Sequence, residues 1–311
     1  MRRMSIVLVL VAGLVIPVAA PALAQSLEEW LERAADAEFE GRQVTICDTP
    51  DGRLTEAVDV AQQNRVIVVR ALGGEVVIRS GSVMTTGVDG ATSISSVDSS
   101  SSALLADRYS SEVRGRSTVI NRAVDLVEVL EGDLVRVRYA FDLNTGAVLR
   151  SDVNNGDGSL YCTTQFVEFR PNADIAVAEP STTRELLLTA LSSDVSLPTE
   201  VAGFAQLDMY EGPQGSTAAF YSDGIFSFTV IVADRKIAVS DLSDAPQVKV
   251  HDRDYVRRFS AGQVLFSWES ADGGLVMIGD LPLDLQGAVL DGLPQPGATG
   301  FLLRMWRLIF R

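Results

Sequence analysis

LVRVRYAFDLNTGAVLRSDVNNGDGSLYCTTQFVEF, residues 134–169, declares its structure through its period. Val135, Val137, Tyr139, Phe141 and Leu143 fall on one face, with Arg136, Arg138 and Asp142 on the other, the alternation of a half-buried antiparallel strand. "NTG" then reads as a turn, "AVLRSDV" as a second strand, "NNGDG" as another turn and "SLYCTTQFVEF" as a third strand, which together make a meander.

Upstream, "RVIVVRAL", "EVVIRSG" and "AVDLVEVL" add strands rich in β-branched residues, so the first domain reads as mainly antiparallel sheet. "SLEEWLERAADAEFEG" reads instead as a short amphipathic helix, with Leu27, Trp30, Leu31 and Ala34 at helical spacing and Gly41 as its stop. Such a helix is expected to cover the sheet. "TSISSVDSSSSALLAD" interrupts the strands with a serine-rich loop, either plain surface or a lid over a ligand cleft.

At 311 residues, 47% of them apolar, the chain is long enough for two domains. Residues 1–24 read as a secretory signal peptide: two arginines, an apolar stretch and the small-residue site Ala22-Leu23-Ala24. The mature chain then starts at Gln25 in a periplasm-type, extracytoplasmic compartment, as a soluble or peripherally membrane-associated protein. It carries 24 basic against 41 acidic residues, a charge near −17 that repels phosphate backbones and argues against nucleic-acid partners. Its two cysteines, Cys47 and Cys162, sit in strand-like runs; in an oxidising compartment an even pair favours a disulfide, with two buried thiols as the alternative.

The spacing places the first domain at 25–178, a linker with a short helix around Glu185 to Leu191 at 179–196, and a second domain at 197–295. Its strands lie in "AAFYSDGIFSFTVIVAD", "QVLFSWESADGG" and "LVMIGD", followed by a helix from Pro282 to Leu290. Asp223-Gly224 marks a hairpin turn within that domain. Beyond it Phe226, Phe228, Val230 and Val232 form an apolar face, opposite a mixed face of Ile225, Ser227, Thr229 and Ile231.

The tail, 296–311, ends in "FLLRMWRLIFR". Arg304, Arg307 and Arg311 form one helical stripe and Trp306 stands among the apolar remainder. This segment is too short to span a bilayer; it reads either as an interfacial helix on anionic headgroups or as an element packed on the second domain.

No catalytic or cofactor set emerges. The single histidine, His251, lies in the charged run "VHDRD" without companions for a zinc site. "DVNNGDGS" has Gly156 and Thr163 where a calcium loop needs acidic or amide ligands, so a hairpin turn explains it better. A binding protein is the expectation, with no enzyme activity, no metal and no cofactor.

Four stretches, in order, carry a resemblance: "EEWLERAADAEFEGRQVTI", the "VRVRYAFDLNTGAVLRSDV" run closing on "QFVEF", "FYSDGIFSFTVIV", and "LVMIGDLP". They resemble the MucB/RseB family of extracytoplasmic regulators of sigma-E-type stress responses. The resemblance implies a half-open antiparallel β-barrel with covering helices, similar to lipoprotein carriers, plus a smaller mixed α/β C-terminal domain. It implies a protein that holds the outer segment of a transmembrane anti-sigma factor and lets go on sensing lipid or envelope stress; a lipid or lipoprotein carrier on the same scaffold is the alternative, and a structural envelope protein a third.

On that reading Trp30, Val135, Val137, Tyr139, Phe141 and Leu143 are candidates for a lipid cleft. Tyr221, Asp223, Ile225 and Thr229 are candidates for the partner surface, and Arg304, Trp306, Arg307 and Arg311 for membrane contact. The serine-rich insert, the cysteine pair and the tail fall outside the family pattern.

Overall fold

The computed structural model describes residues 26–63, 65–71, 76–80, 83–86, 92–93, 104–105, 107–172, 197–211, 217–233, 246–260, 263–270 and 273–297. The expected signal peptide (1–24), the serine run beyond Ser93, the linker helix at 185–191 and the tail with Arg304, Trp306, Arg307 and Arg311 lie outside the described residues.

Ser26 starts the first element, helix α1 (Leu27–Ala35). Its hydroxyl accepts from the Glu29 amide at 3.2 Å, while the Glu29 carboxylate accepts from the Ser26 amide at 3.0 Å. This reciprocal box satisfies two donors that a helix start would otherwise leave orphaned. Leu27 and Trp30 form the buried stripe of the helix.

One sheet of eleven strands follows: β1 (Phe39–Thr49), β2 (Gly52–Gln63), β3 (Val66–Ala71), β4 (Val76–Ser80), β5 (Val83–Thr86), β6 (Thr92–Ser93), β7 (Ser110–Val119), β8 (Arg122–Glu131), β9 (Leu134–Asp142), β10 (Val148–Asn154) and β11 (Leu160–Pro171). In space they run β6-β5-β4-β3-β2-β1-β11-β10-β9-β8-β7. Two meanders therefore meet at a single seam, the antiparallel pair β1 and β11. The terminal strands β6 and β7 are not paired to each other, so among the described residues the sheet stays open where a closed barrel would join them.

The seam explains two residues. Cys47 and Cys162 are register partners, 4.1 Å apart at Cα and joined by a disulfide across 115 residues of sequence. Constraining a loop that long in the unfolded chain contributes about 4–5 kcal/mol in the chain-entropy treatment. Gly41 sits in β1 beside a bulge at Arg42/Gln43, where a Cβ would run into the Glu168 carbonyl and approach the Phe166 ring to 3.0 Å. Glycine there lets β1 close on β11. The expectation that Gly41 stops the helix is thus corrected: α1 ends at Asp36, whose amide is already bonded to the Glu32 carbonyl.

The meander of residues 134–169 forms as its period predicts. Asp142 Oδ2 accepts from the Thr145 amide at 2.9 Å and hydroxyl at 2.8 Å, and Gly146 takes φ +81° to complete the first turn. Asp157 Oδ1 accepts from the Ser159 amide at 2.9 Å and Gly158 takes φ +80° in the second. One part of the pattern reading is corrected, since the supposed polar face of β9 is not open to water. Arg136 is 1% exposed and Asp142 is fully buried, and only Arg138 is exposed.

The second sheet has eight antiparallel strands: β12 (Glu200–Val201), β13 (Phe204–Glu211), β14 (Thr217–Ser222), β15 (Ser227–Ala233), β16 (Gln247–Val250), β17 (Arg253–Ser260), β18 (Gln263–Glu269) and β19 (Gly274–Gly279). Their order is β12-β13-β14-β15-β19-β18-β17-β16, and helix α2 (Leu283–Gly292) follows. Gly224, at φ +97°, turns the chain between β14 and β15, and Phe226, Phe228, Val230 and Val232 are all buried. Tyr221 stacks on Phe228 at 4.8 Å. The core of this sheet is continuous with the first one, because Leu27, Val129 and Val137 belong to the same buried cluster as Phe204, Phe266 and Met277.

Candidate functional site: the cleft between the sheets

Between the sheets lies a cavity of about 240 Å³. Its floor crosses the seam from β3 to β9, and its roof is Ile225 and Phe226 from the β14–β15 turn, with Gln263 and Asp280 beside them. Register divides the floor into rungs. Tyr139, Ser151, Thr164 and Thr45 are successive partners across β9, β10, β11 and β1, and all four line the cavity. The next rung on that face is Val137, Val153, Cys162 and Cys47. Val58 and Val69 extend the apolar part across the seam. The cleft is therefore amphipathic, a hydroxyl row flanked by aliphatic side chains. Burial pushes the Tyr161 phenol up to about 12, so it stands in the wall as a neutral hydroxyl.

Several polar links among the described residues hold the second unit over this floor. Buried Asp223 accepts at Oδ2 from the Tyr109 hydroxyl at 2.7 Å and pairs with Arg108 at 3.2 Å, while its Oδ1 accepts from the Ile225 and Phe226 amides at 3.0 and 2.8 Å. Burial raises the Asp223 carboxyl above the usual carboxylate range, against the opposing pull of Tyr109, the turn amides and Arg108. Arg136 reaches from β9 to Asp284 at the start of α2, 3.0 Å away, with Glu131 at 3.4 Å and the Phe226 ring beneath. Arg257 of β17 donates to Asp51 in the β1–β2 turn at 2.6 Å. Asn155, from the "NNGDG" turn, adds a cap by accepting from the Leu283 amide at 3.1 Å, which serves a helix whose own N-cap is Pro282.

The candidates from sequence are distributed unevenly over this site. Val137 and Tyr139 line the cavity. Trp30 and Phe141 do not; they stack on each other at 5.0 Å and are packed out of reach, with α1 filling that end of the face. Val135 and Leu143 are half-buried and outside the lining. Of the partner candidates only Ile225 meets the cavity. Tyr221, Asp223 and Thr229 are 0%, 1% and 4% exposed, so in this arrangement they present no surface to another molecule; Asp223 serves as a link between the sheets instead. Sequence reasoning missed the hydroxyl row of Ser151, Thr164 and Thr45 in the cavity and the linking residues Arg108, Tyr109, Arg136, Asp284, Arg257 and Asp51. "DRY" at 107–109, two charges and a phenol directly before a strand, was the one local signal for Arg108 and Tyr109.

His251 is exposed in the tight β16–β17 turn, both residues of which take positive φ, and it bonds Asp291 at 2.7 Å.

An open antiparallel half-barrel, roofed by a helix at one end and by a second antiparallel sheet at the other, defines a two-unit scaffold with a cleft between the units. The chain shares that fold with MucB: a crystal structure of MucB superposes with a TM-score of 0.52 at 20% identity, over 85% of this chain and 96% of that one. The complex of Pseudomonas aeruginosa MucA and MucB aligns at a TM-score of 0.49 and 21% identity, over 87% of this chain and 99% of that one. No protein-family model matches the sequence, and no curated protein sequence does either.

Proposed function

We propose that this protein is an extracytoplasmic regulator that holds the outer segment of a transmembrane anti-sigma factor and releases it when an acyl chain occupies the cleft. The observation that carries the reading is the cleft itself, an amphipathic cavity shared by two units on a MucB-type fold. The ordered family stretches in the sequence and the domain division they imply, 25–178 and 197–295, support the same assignment.

The volume suggests how release works. Pockets that enclose a drug-sized ligand run to roughly 300–1,000 Å³, whereas this one holds about 240 Å³. A full acyl chain then fits only if the roof moves, and moving it means breaking the links at Asp223, Asp284 and Asp51. Lipid therefore binds the opened state better and the anti-sigma segment the closed one, which is negative coupling between two ligands through one equilibrium.

The carrier alternative keeps the same cleft but assigns it to transport. Co-purification with the outer segment of a single-pass anti-sigma factor separates the two. Capture of that segment supports the regulator; failure to capture it, with lipid extracted from vesicles, replaces the regulator with the carrier.

A further inference from the structure

We infer that the Cys47–Cys162 cystine is a redox site gated by the cleft, shielded from thiols while the second sheet is seated and open to them when it lifts. The sulfurs sit on the cavity face of the seam: Cys162 lines the cavity, and the two residues are 5% and 7% exposed. Their covers come from both units. Tyr161 shares their buried cluster, and Val153 of the first sheet packs against that cluster together with Phe259 of β17 and Leu283 of α2 from the second unit. Arg257, two residues before Phe259, is the one that reaches across to Asp51. The link at Asp51 thus holds down the strand whose Phe259 packs on the cystine's cluster.

The site takes small dithiols or a dithiol protein. A thiolate attacks one sulfur, the S–S bond breaks, and the other cysteine leaves as a thiolate and takes a proton. The second thiolate of the reagent then displaces the mixed disulfide. Cys47 and Cys162 end as thiols, having gained the two electrons that the dithiol loses on becoming its own disulfide. Because the bond pins what is, among the described residues, the single seam between the two meanders, its loss reports cleft opening and loosens the floor on which the ligand lies.

This inference rests on the cleft opening proposed above, but its test needs neither lipid nor partner. The mature protein is incubated with dithiothreitol under native conditions, and free thiols are counted over time by alkylation and mass. Asp51→Asn and Arg257→Gln are each expected to speed reduction about tenfold, the change in an opening equilibrium when one charge-assisted hydrogen bond is lost. Arg53→Gln breaks only the exposed pair with Asp48 next to the same turn, and should leave the rate unchanged.

Global unfolding rates, followed by tryptophan fluorescence in the same buffer, should be alike in all four proteins. Equal reduction rates throughout, or reduction that rises only in step with global unfolding, would overturn the inference. Loss of partner and lipid binding with this rate pattern intact would remove the proposed function and leave the redox site standing.

Discussion

Replacing Asp223 with alanine tests the linkage between the sheets at its most buried point. The carboxylate is 1% exposed and accepts four contacts, from Tyr109, Arg108 and the Ile225 and Phe226 amides. Arg108 retains Glu131 at 2.8 Å, so its loss is partial. The Tyr109 hydroxyl and the two turn amides are left with no acceptor, at about 1–3 kcal/mol for each buried donor before relaxation. Breaking a buried charged pair costs about 3–5 kcal/mol in total, and water entering the gap offsets part of it, so a loss of about 4 kcal/mol is expected.

Asp223→Asn keeps an oxygen for the turn amides and should cost about half as much. Guanidinium denaturation measures both. At roughly 2–4 °C per kcal/mol for a chain of this size class, the alanine variant should melt about 8–16 °C lower.

The pH dependence has a definite sign. Burial holds the folded carboxyl above its unfolded value near 3.9, so the contribution of this group is complete below that pH and is lost as pH rises through the folded value. Asp223→Asn should remove this falling component. If Asp223→Ala costs less than about 1 kcal/mol, the range of an exposed ion pair, then the link does not hold the sheets together.

Four further outcomes are expected. Cys47→Ala with Cys162→Ala should cost about 4–5 kcal/mol in denaturant midpoint analysis, the value for a loop of this length. Gly41→Val should destabilise by about 2–3 kcal/mol, because overpacking has no outlet between the Glu168 carbonyl and the Phe166 ring.

For Asp142, desolvation raises the carboxyl, but hydrogen bonds from Arg122 and Thr145 outweigh it and leave the group below its usual value. Its stabilisation is present above about pH 4 and lost as pH falls through the lowered value, so Asp142→Asn should flatten the acid limb of the stability curve. Val153→Trp fills the cavity floor; it should weaken binding of a fluorescent fatty acid about tenfold while an anti-sigma segment still binds, and equal lipid affinity would show that the chain lies elsewhere.

The meander at 134–169 was legible because alternation runs unbroken through β9 and its turns carry Asp, Asn and Gly where positive φ or side-chain caps are needed. β7 was not: "SSEVRGRSTV" is an edge strand with exposed or half-exposed positions throughout, and its polarity is that of a loop. The same limit applies to Arg136. Period two places it opposite Val137, but nothing local tells that the second unit covers that face as well. Asp223-Gly224 was legible as a turn, but the buried acceptor role of Asp223 was not, since it depends on Tyr109, 114 residues away. Tertiary contacts decide which polar residues of a strand become links, and a single sequence carries little record of them.

The coupling between lipid and partner is tested most directly by competition at equilibrium. The outer segment of a single-pass anti-sigma factor, labelled with a fluorophore, is bound to the mature protein and followed by anisotropy while a long-chain amphiphile is added below its micellar concentration. The account predicts saturable binding of the segment, then its release, with the apparent affinity for the segment falling as the amphiphile rises and the affinity for the amphiphile falling by the same factor as the segment rises. A segment that stays bound while the amphiphile fills the cleft would contradict it.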